Sequence, residues 1–438
     1  MYQYPIPTSI LEDKIKELGV ADPNRMSIRE TVRLANMLEN TTGEKFVRLE
    51  MGVPGLKPPQ IALDAEREAA EKGLCAIYPP VDGVPALKEA AARFAKCFID
   101  IDIPAQNCLA TTGSMQACFA AFMVANRTDK KRGKTLFIDP GFPVNKAQLR
   151  VLGMQYETFD VYDYRGDKLG AKLESYLAKG DISTILYSSP NNPAWISFTE
   201  DELKTIGTLA TKYDVIVMED LAYFGMDFRR DISKPSVAPF NPTVAKYTDN
   251  WIIMLSGSKS FSYAGQRIAV MMVSPAIFNR HYPDLKAYFG NDNFGHAMIF
   301  DALYTLSTGT THTPQYGFAA MLNACCDGSY NFVEPIKEYA RRANILKKSF
   351  YNNGFVAVYD KDGDEDVADG FYFTVTYPGM DCGALVKNLL QFGISAVGLN
   401  ICGSQHAGIR VCVSQLGDEA LANAEARIKA FDAYFSKK

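Results

Sequence analysis

Short apolar runs alternate with amphipathic helical stretches through the middle of this chain of 438 residues. The runs are rich in β-branched side chains and lie at 135–138, 184–187, 215–218, 251–255 and 268–273. One of the helical stretches between them covers 200–212. Such alternation is typical of βαβ units, whose strands are parallel and whose helices cover the sheet. We therefore predict an α/β chain with a mostly parallel sheet, in which ligands bind where the strands end.

The C-terminal part of the chain has a different pattern. A long helical stretch at about 332–352 precedes strand-like runs at 371–377 and 410–414, and a last helical stretch covers about 419–435. This order predicts a smaller α+β domain. We expect three segments: an N-terminal arm with part of the small domain (1–60), a large ligand-binding domain (61–325) and a C-terminal small domain (326–438).

Composition argues against several classes of function. Lys and Arg number 46 against 50 Asp and Glu, so we expect no nucleic-acid partner. The uncharged stretches 103–126 and 302–326 are rich in polar residues, so we expect no membrane span. The four histidines do not cluster, so no metal site is expected. The nine cysteines form no CxxC pair and the N-terminus lacks a signal-peptide pattern, which together predict a cytoplasmic protein.

Four segments carry side chains suited to one kind of chemistry, and three of them follow strand-like runs directly. The segments are 188–193 (SSPNNP), 218–223 (MEDLAY), 255–261 (LSGSKSF) and 265–268 (GQRI). Singly, each has an ordinary explanation as a turn, a helix cap or a solvated loop. Together they offer a lysine for a Schiff base, hydroxyls and an arginine for a phosphate, and an acid for a pyridinium nitrogen. Pyridoxal phosphate makes these demands of a protein.

This set resembles the fold-type I pyridoxal-phosphate aminotransferases of class I/II, the aspartate aminotransferase-like family. The motif residues Asn192, Asp220, Lys259 and Arg267 stand in the family's order, at intervals of 28, 39 and 8 residues. The resemblance covers about 52–410. It implies a large domain with a mostly parallel seven-stranded sheet flanked by helices, a smaller α+β domain, and pyridoxal 5′-phosphate as the cofactor.

The resemblance also implies roles for the cofactor-binding residues. Lys259 is expected to form the Schiff base, Asp220 to pair with the pyridine nitrogen, and Asn192 and Tyr223 to donate to the phenolic oxygen of the ring. The expected phosphate ligands are Gly113, Ser114, Met115, Ser256, Ser258 and Arg267. Phe142 stands where the family stacks an aromatic ring on the cofactor, and a packing phenylalanine is the alternative.

On the substrate side, the resemblance implies that Arg410 grips the α-carboxylate through two parallel hydrogen bonds. Gly52 and Asn192 are expected close to the substrate, and a plain turn glycine is the alternative for Gly52. Tyr78 matches a tyrosine that reaches the phosphate of the neighbouring subunit, which implies a homodimer with shared sites. An ordinary packing role is the alternative for Tyr78.

The chain departs from the family pattern at three loops. Asn192-Pro193-Ala194-Trp195 replaces the usual Asn-Pro-Thr-Gly, Ala269 replaces a glycine, and 398–403 lacks the common Pro-Gly-x-x-Phe-Gly form. Trp195 could line the substrate pocket or simply pack. His406 is near Arg410 in sequence, which makes it a candidate for the substrate site. These loops leave the identity of the amino acid open.

The leading hypothesis is an amino-acid:2-oxoacid aminotransferase that passes the amino group through pyridoxamine phosphate, with Lys259 as general base at the substrate Cα. The alternative keeps the fold and the cofactor but makes the enzyme a lyase, either a C–S β-lyase or a β-decarboxylase. A cofactor-sensing regulator is the third hypothesis. It would need an effector module ahead of Gly52, where this sequence has 51 residues without strong basic character.

Overall fold

The structure is a computed structural model that describes residues 4–437. These residues form fifteen strands: β1 (Val47–Arg48), β2 (Cys108–Thr111), β3 (Lys134–Asp139), β4 (Tyr156–Asp160), β5 (Ile182–Ser188), β6 (Ile216–Leu221), β7 (Trp251–Ser256), β8 (Ala269–Val273), β9 (Val356–Ala357), β10 (Lys361–Asp362), β11 (Glu365–Asp366), β12 (Tyr372–Thr376), β13 (Ile394–Ser395), β14 (Val397–Gly398) and β15 (Ile409–Cys412).

The same residues form sixteen α-helices: α1 (Thr8–Leu18), α2 (Ile28–Thr42), α3 (Gln60–Glu71), α4 (Pro85–Ile99), α5 (Gly113–Ala125), α6 (Pro143–Val151), α7 (Lys168–Leu177), α8 (Glu200–Tyr213), α9 (Pro275–Phe278), α10 (Lys286–Phe289), α11 (Phe294–His296), α12 (Tyr304–Ser307), α13 (His312–Cys326), α14 (Val333–Tyr351), α15 (Cys382–Gln391) and α16 (Asp418–Phe435). Among them, α8 begins at a capping box in which the Thr199 side chain accepts from the Glu202 amide and Glu202 accepts from the Thr199 amide. Its helical pattern was predicted at 200–212.

Seven strands form the large sheet in the order β2-β8-β7-β6-β5-β3-β4. The neighbouring pairs β7–β6, β6–β5, β5–β3 and β3–β4 are parallel, and β8 runs antiparallel to both of its neighbours. The predicted mostly parallel sheet of seven strands is confirmed.

Both faces of this sheet are buried. Within β7, Ile252 and Met254 belong to the apolar cluster that contains α5, whereas Ile253 and Leu255 belong to a second cluster on the opposite face. Alternate side chains of a strand point to opposite faces, so a strand that is apolar throughout needs cover on both sides. The apolar runs of the sequence reflect this double burial.

A second sheet has four antiparallel strands in the order β14-β15-β12-β9. Its register places Thr374 opposite Arg410 and Tyr372 opposite Cys412. Helices α14 and α16 accompany it, close to where helices were predicted, and the predicted smaller α+β unit is confirmed. Strand β1 pairs in parallel with β13, so the chain near residue 47 lies beside residues 394–395. The segment boundaries 1–60, 61–325 and 326–438 stay a prediction.

The hairpin formed by β10 and β11 joins the two units through charged groups. The Asp362 carboxylate accepts from Arg165 Nη1 at 3.0 Å and from Arg229 Nη2 at 2.9 Å, and its side chain is 3% exposed. Arg165 also binds Glu202 at 2.6 Å.

In the described part of the chain, no helix has the length and apolar character that crossing a membrane requires.

Candidate active site

The carboxyl ends of the parallel strands bring most of the predicted site residues together. Strands β5, β6 and β7 are neighbours, so Asn192, which follows β5, Asp220, which lies near the end of β6, and Lys259, which follows β7, meet at one edge of the sheet. Gly113 and Phe142 follow β2 and β3 at the same edge, and Phe142 is half-buried at the start of α6.

Lys259 Nζ lies in the interior between the two units. It donates a hydrogen bond to the Gly52 carbonyl and lies 5.6 Å from the centre of the Phe371 ring. Burial first, and then the positive charges of Arg410 and Arg267, lower the pKa of Lys259 to about 8. With this pKa, about a tenth of the amine is neutral at pH 7, and the neutral form is what a nucleophile and a base require.

Asp220 lies in the interior without a cation. Burial raises its pKa to about 7, and its one hydrogen bond comes from the Ala222 amide at 3.1 Å. No Lys, Arg or His among residues 4–437 forms an ion pair with it. A partly buried carboxyl with so few partners suits a ligand that brings its own positive charge, because a cation would favour the ionised form.

The loops after β2 and β7 form a close-fitting cradle with Arg267. Gly113 opens helix α5 with a φ of 71°, and a Cβ there would lie 2.5 Å from Arg267 Nη2, so only glycine fits. The Ser258 amide donates to Ser256 Oγ at 3.1 Å. Ser114 Oγ is buried with no hydrogen-bond partner. A cation, an unpartnered hydroxyl and a helix N-terminus suit a phosphate.

Met115 belongs to the same helix N-terminus. Its carbonyl accepts from Gln148 Nε2 at 2.7 Å, which ties the first turn of α5 to α6. This hydrogen bond fixes the backbone of Met115 at the start of α5. A phosphate ligand that acts through its main-chain N–H needs such a fixed backbone.

Arg410 is the buried cation of the site. It is 2% exposed, its Nη1 donates to Asn192 Oδ1 at 3.1 Å, and its Nη2 donates to the Glu50 carbonyl at 2.6 Å. Its Nε has no partner, and no carboxylate of the described residues pairs with it. Because Asn192 receives this bond at Oδ1, its amide nitrogen stays available as a donor.

Tyr223 is 4% exposed, and its hydroxyl donates to the Tyr372 hydroxyl at 2.9 Å. The sequence analysis did not single out Tyr372, although its strand was predicted. The guanidinium of Arg410 lies 4.5 Å from the centre of the Tyr372 ring. Tyr372 and Thr374 share one face of β12, and Thr374 pairs with Arg410, so strand alternation was the available signal.

The structure decides the two alternatives for Trp195 in favour of packing. Trp195 is fully buried and its ring lies edge-on to the rings of Tyr223 and Tyr372, at 5.3 and 5.9 Å. Its φ of 65° is the left-handed conformation that explains a glycine in the usual motif. Trp195 therefore packs directly behind two tyrosines of the site.

His406 lies elsewhere. It packs against Tyr162 and Tyr359, and its Nε2 lies 3.6 Å from Asp163. These contacts place it where a loop of the small unit meets the ends of β3 and β4, rather than beside Arg410.

Tyr78 and Gly52 have opposite environments. Tyr78 is 85% exposed and makes no hydrogen bond or ring contact with another described residue. The single chain therefore does not bring it into the cluster. Gly52 lies inside the cluster, where the Tyr372 hydroxyl occupies the space that a Cβ at position 52 would need. Close approach, rather than a turn alone, explains this glycine.

Residues 4–437 contain no group of His, Cys, Asp and Glu side chains arranged to hold a metal ion.

The model of the family described as aminotransferase class I and II matches residues 44–428. The chain belongs to this family. The match includes the cluster described above, from Gly52 to Arg410, and both units of the fold.

Two curated relatives share about a quarter of their aligned residues with this chain or fewer. It is 24% identical over 270 residues to the aspartate aminotransferase of Pyrococcus horikoshii, covering 60% of this chain and 63% of that protein. It is 22% identical to the probable kynurenine–oxoglutarate transaminase of Saccharomyces cerevisiae, covering 54% of this chain and 53% of that protein. Each alignment thus spans less than two thirds of the relative.

Solved structures agree over a greater length. A mutant of Thermus thermophilus aspartate aminotransferase matches with a TM-score of 0.75 at 18% identity, covering 95% of this chain and 98% of that chain. The alanine aminotransferase of Pyrococcus furiosus matches with a TM-score of 0.74 at 19% identity, covering 93% and 97%. These matches show that the fold is shared.

Proposed function

We propose that this chain is a pyridoxal-phosphate-dependent amino-acid:2-oxoacid aminotransferase that acts as a cytoplasmic homodimer. The observation that carries the proposal is a set of buried groups that lack counterparts in one site. Among residues 4–437, none gives Asp220 a cation, Arg410 a carboxylate or Ser114 Oγ a hydrogen bond. A cofactor with a cationic ring and a phosphate, together with an amino acid, would satisfy all three.

The residues present fit the cofactor. Asp220 would hold the ring nitrogen, Arg267 and the first turn of α5 would hold the phosphate, and Tyr223 and the Asn192 amide would face the phenolic oxygen. Burial raises the pKa of Tyr223 well above its usual value, so its hydroxyl keeps the proton that a donor needs. When bound, pyridoxal phosphate would supply an electron sink for charge that develops at the substrate Cα.

Arg410 would bind and orient the substrate carboxylate. Its guanidinium is held by the Asn192 side chain, the Glu50 carbonyl and the face of the Tyr372 ring, so it is fixed before a substrate arrives. A fixed planar cation sets the direction of a carboxylate as well as its position. That direction decides which bond at Cα is presented for cleavage.

Lys259 Nζ would remove the proton from the substrate Cα and pass it to the C4′ carbon of the cofactor. Its pKa of about 8 leaves neutral amine available at working pH, and the Gly52 carbonyl accepts a hydrogen bond from it. Burial of the surrounding residues keeps bulk water away from this transfer. A general base has to lie within hydrogen-bond reach of the proton that it removes, and only then does its pKa decide how well it works.

The proposal of a homodimer is based on two exposed side chains. Ile77 is 57% exposed and Tyr78 is 85% exposed, which is unusual for neighbouring large apolar residues. A second copy of the chain would cover them and bring Tyr78 to the phosphate of the neighbouring site. The lyase alternative has less support, because the relatives and solved structures described above are named as aminotransferases.

The experiment follows the absorption spectrum of the cofactor-loaded protein after single L-amino acids are added without any oxoacid. We expect conversion to the pyridoxamine spectrum, with one equivalent of 2-oxoacid formed per site, and the effective amino acids identify the substrate. Catalytic release of pyruvate and ammonia from cysteine or its conjugates, with the original spectrum restored, would contradict transamination and indicate a lyase.

A further inference from the structure

Tyr372 connects residues of the site that come from different parts of the chain. Its hydroxyl accepts from Tyr223, which follows β6 of the large sheet, at 2.9 Å. The Arg410 guanidinium lies 4.5 Å from the centre of its ring. The same hydroxyl also fills the space next to Gly52. One side chain of the small sheet thus contacts the expected cofactor donor, the expected carboxylate ligand and the loop that accepts from Lys259.

The surroundings fix Tyr372 in this position. It is 1% exposed, Trp195 packs edge-on to its ring at 5.9 Å, and its strand is paired with β15. A side chain wedged between a tryptophan, a guanidinium and a glycine has little freedom to turn away. Its hydroxyl can change roles only by rotating its proton about the C–O bond.

Each tyrosine hydroxyl has one proton to donate and can accept at its oxygen. When Tyr223 directs its proton at the phenolic oxygen of the cofactor, its own oxygen becomes free to accept the proton of Tyr372. Successive hydrogen bonds of this kind polarise one another, and the second bond strengthens the first.

We infer that Tyr372 is a positioning residue whose hydroxyl holds the Tyr223 hydroxyl and strengthens the hydrogen bond that Tyr223 gives to the cofactor. This inference rests on the proposed function. A stronger donor stabilises the negative charge on the phenolic oxygen, so it lowers the pKa at which the bound cofactor takes up a proton. Tyr372 therefore acts on the cofactor through Tyr223, without touching it.

The test is a pH titration of the absorption spectrum of the cofactor-loaded enzyme, with the variants Tyr223→Phe, Tyr372→Phe and both together. Phenylalanine keeps each ring in its packing, so only hydroxyls are lost. We expect the cofactor pKa to rise by about 1 in Tyr223→Phe and by about 0.3 in Tyr372→Phe. In the double variant we expect the value of Tyr223→Phe alone, because Tyr372 has then lost its route.

A matched control is Tyr377→Phe, which removes a hydroxyl that donates to Asp432 at 2.8 Å just beyond the end of β12. Its cofactor pKa should equal that of the wild type. Arg410, Cys402 and Cys412 also face the tyrosine pair and are unchanged in every variant.

An unchanged or lower cofactor pKa in Tyr372→Phe, or a rise that adds in full to that of Tyr223→Phe, would overturn the inference. Failure of the proposed function would be recognised separately. In that case the wild-type protein would show no cofactor absorption to titrate or, as a lyase, no conversion to the pyridoxamine spectrum with amino acids, whatever residue stands at position 372.

Discussion

The two sides of the site are built in different ways. At the edge of the large sheet, Asn192, Asp220 and Lys259 lie at or just after the ends of parallel strands, each in a short motif. On the small sheet, Tyr372 and Arg410 lie inside antiparallel strands among apolar neighbours. Residues in loops at strand ends can therefore be recognised in the sequence from their short motifs. A polar residue within a strand shows in the sequence only which face of the strand it lies on.

The two sides also differ in charge. The large sheet contributes the Asp220 carboxyl, to which no described residue brings a cation, and the small sheet contributes the buried Arg410 guanidinium, to which none brings a carboxylate. One side is thus complementary to a cationic ring and the other to a carboxylate. Lys259 lies close enough to the guanidinium of the small sheet for that positive charge to lower its pKa.

Removing the amine that both sides share should have the largest effect. We expect Lys259→Ala to lower turnover by at least about 10⁴-fold, because the variant loses both the nucleophile and the base. Lys134→Ala, at the opposite end of the large sheet, should keep wild-type rates. Steady-state assays measure both, and near-wild-type turnover by Lys259→Ala would remove this residue from the mechanism.

Breaking the substrate side alone should be almost as severe. Arg410→Ala should lower kcat/KM for amino acids by about 10³-fold, since a buried charge-assisted contact is worth roughly 2–5 kcal/mol. The variant should also lose the preference for an amino acid over the amine that lacks its carboxylate. Arg427→Ala, which removes another buried arginine of the small unit, should keep that preference. An unaltered preference in Arg410→Ala would place the carboxylate elsewhere.

The contact between the two units can be weakened without changing a residue of the site. Asp362→Ala leaves Arg165 and Arg229 without their shared carboxylate, so we expect the free energy of unfolding to fall by about 3 kcal/mol. On the same hairpin, Asp366 forms an exposed pair with Lys361, and Asp366→Ala should cost less than about 1 kcal/mol. Urea unfolding compares the two variants, and equal losses would show that the buried network stabilises no more than the exposed pair.

Glu219 and Asp220 are neighbours on β6 and point to opposite faces. Burial raises the pKa of Glu219 to about 7, although Tyr187 and Thr243 donate to it at 3.0 and 2.5 Å. The folded state therefore binds a proton that the unfolded state releases above about pH 4.5, so stability falls as the pH rises through 7.

Glu219→Gln should remove this contribution. We expect the decrease in unfolding free energy between pH 5 and pH 8 to be smaller by about 2 kcal/mol in the variant. Urea unfolding at the two pH values measures it. Identical pH dependence in the wild type and the variant would mean that Glu219 is ionised in the folded protein.

The sequence predicted the large sheet and its edge well, because strands covered on both faces are apolar throughout and their following loops are polar. It predicted the strand that contains Tyr372 but not the role of that residue. The role depends on the pairing of Thr374 with Arg410, which two separate segments determine only when they meet. Whether Trp195 lines the pocket or packs depended likewise on the tyrosines around it. The role proposed for Tyr78 would require a second chain.

The most direct test of the account is to identify the lysine that binds the cofactor. The pyridoxal-phosphate-loaded protein is reduced with borohydride, digested, and analysed by peptide mass spectrometry. The account predicts that the cofactor mass appears on the peptide that contains Lys259 and disappears in Lys259→Ala. A cofactor mass on a different lysine, or a loaded protein with no modified peptide, would contradict it.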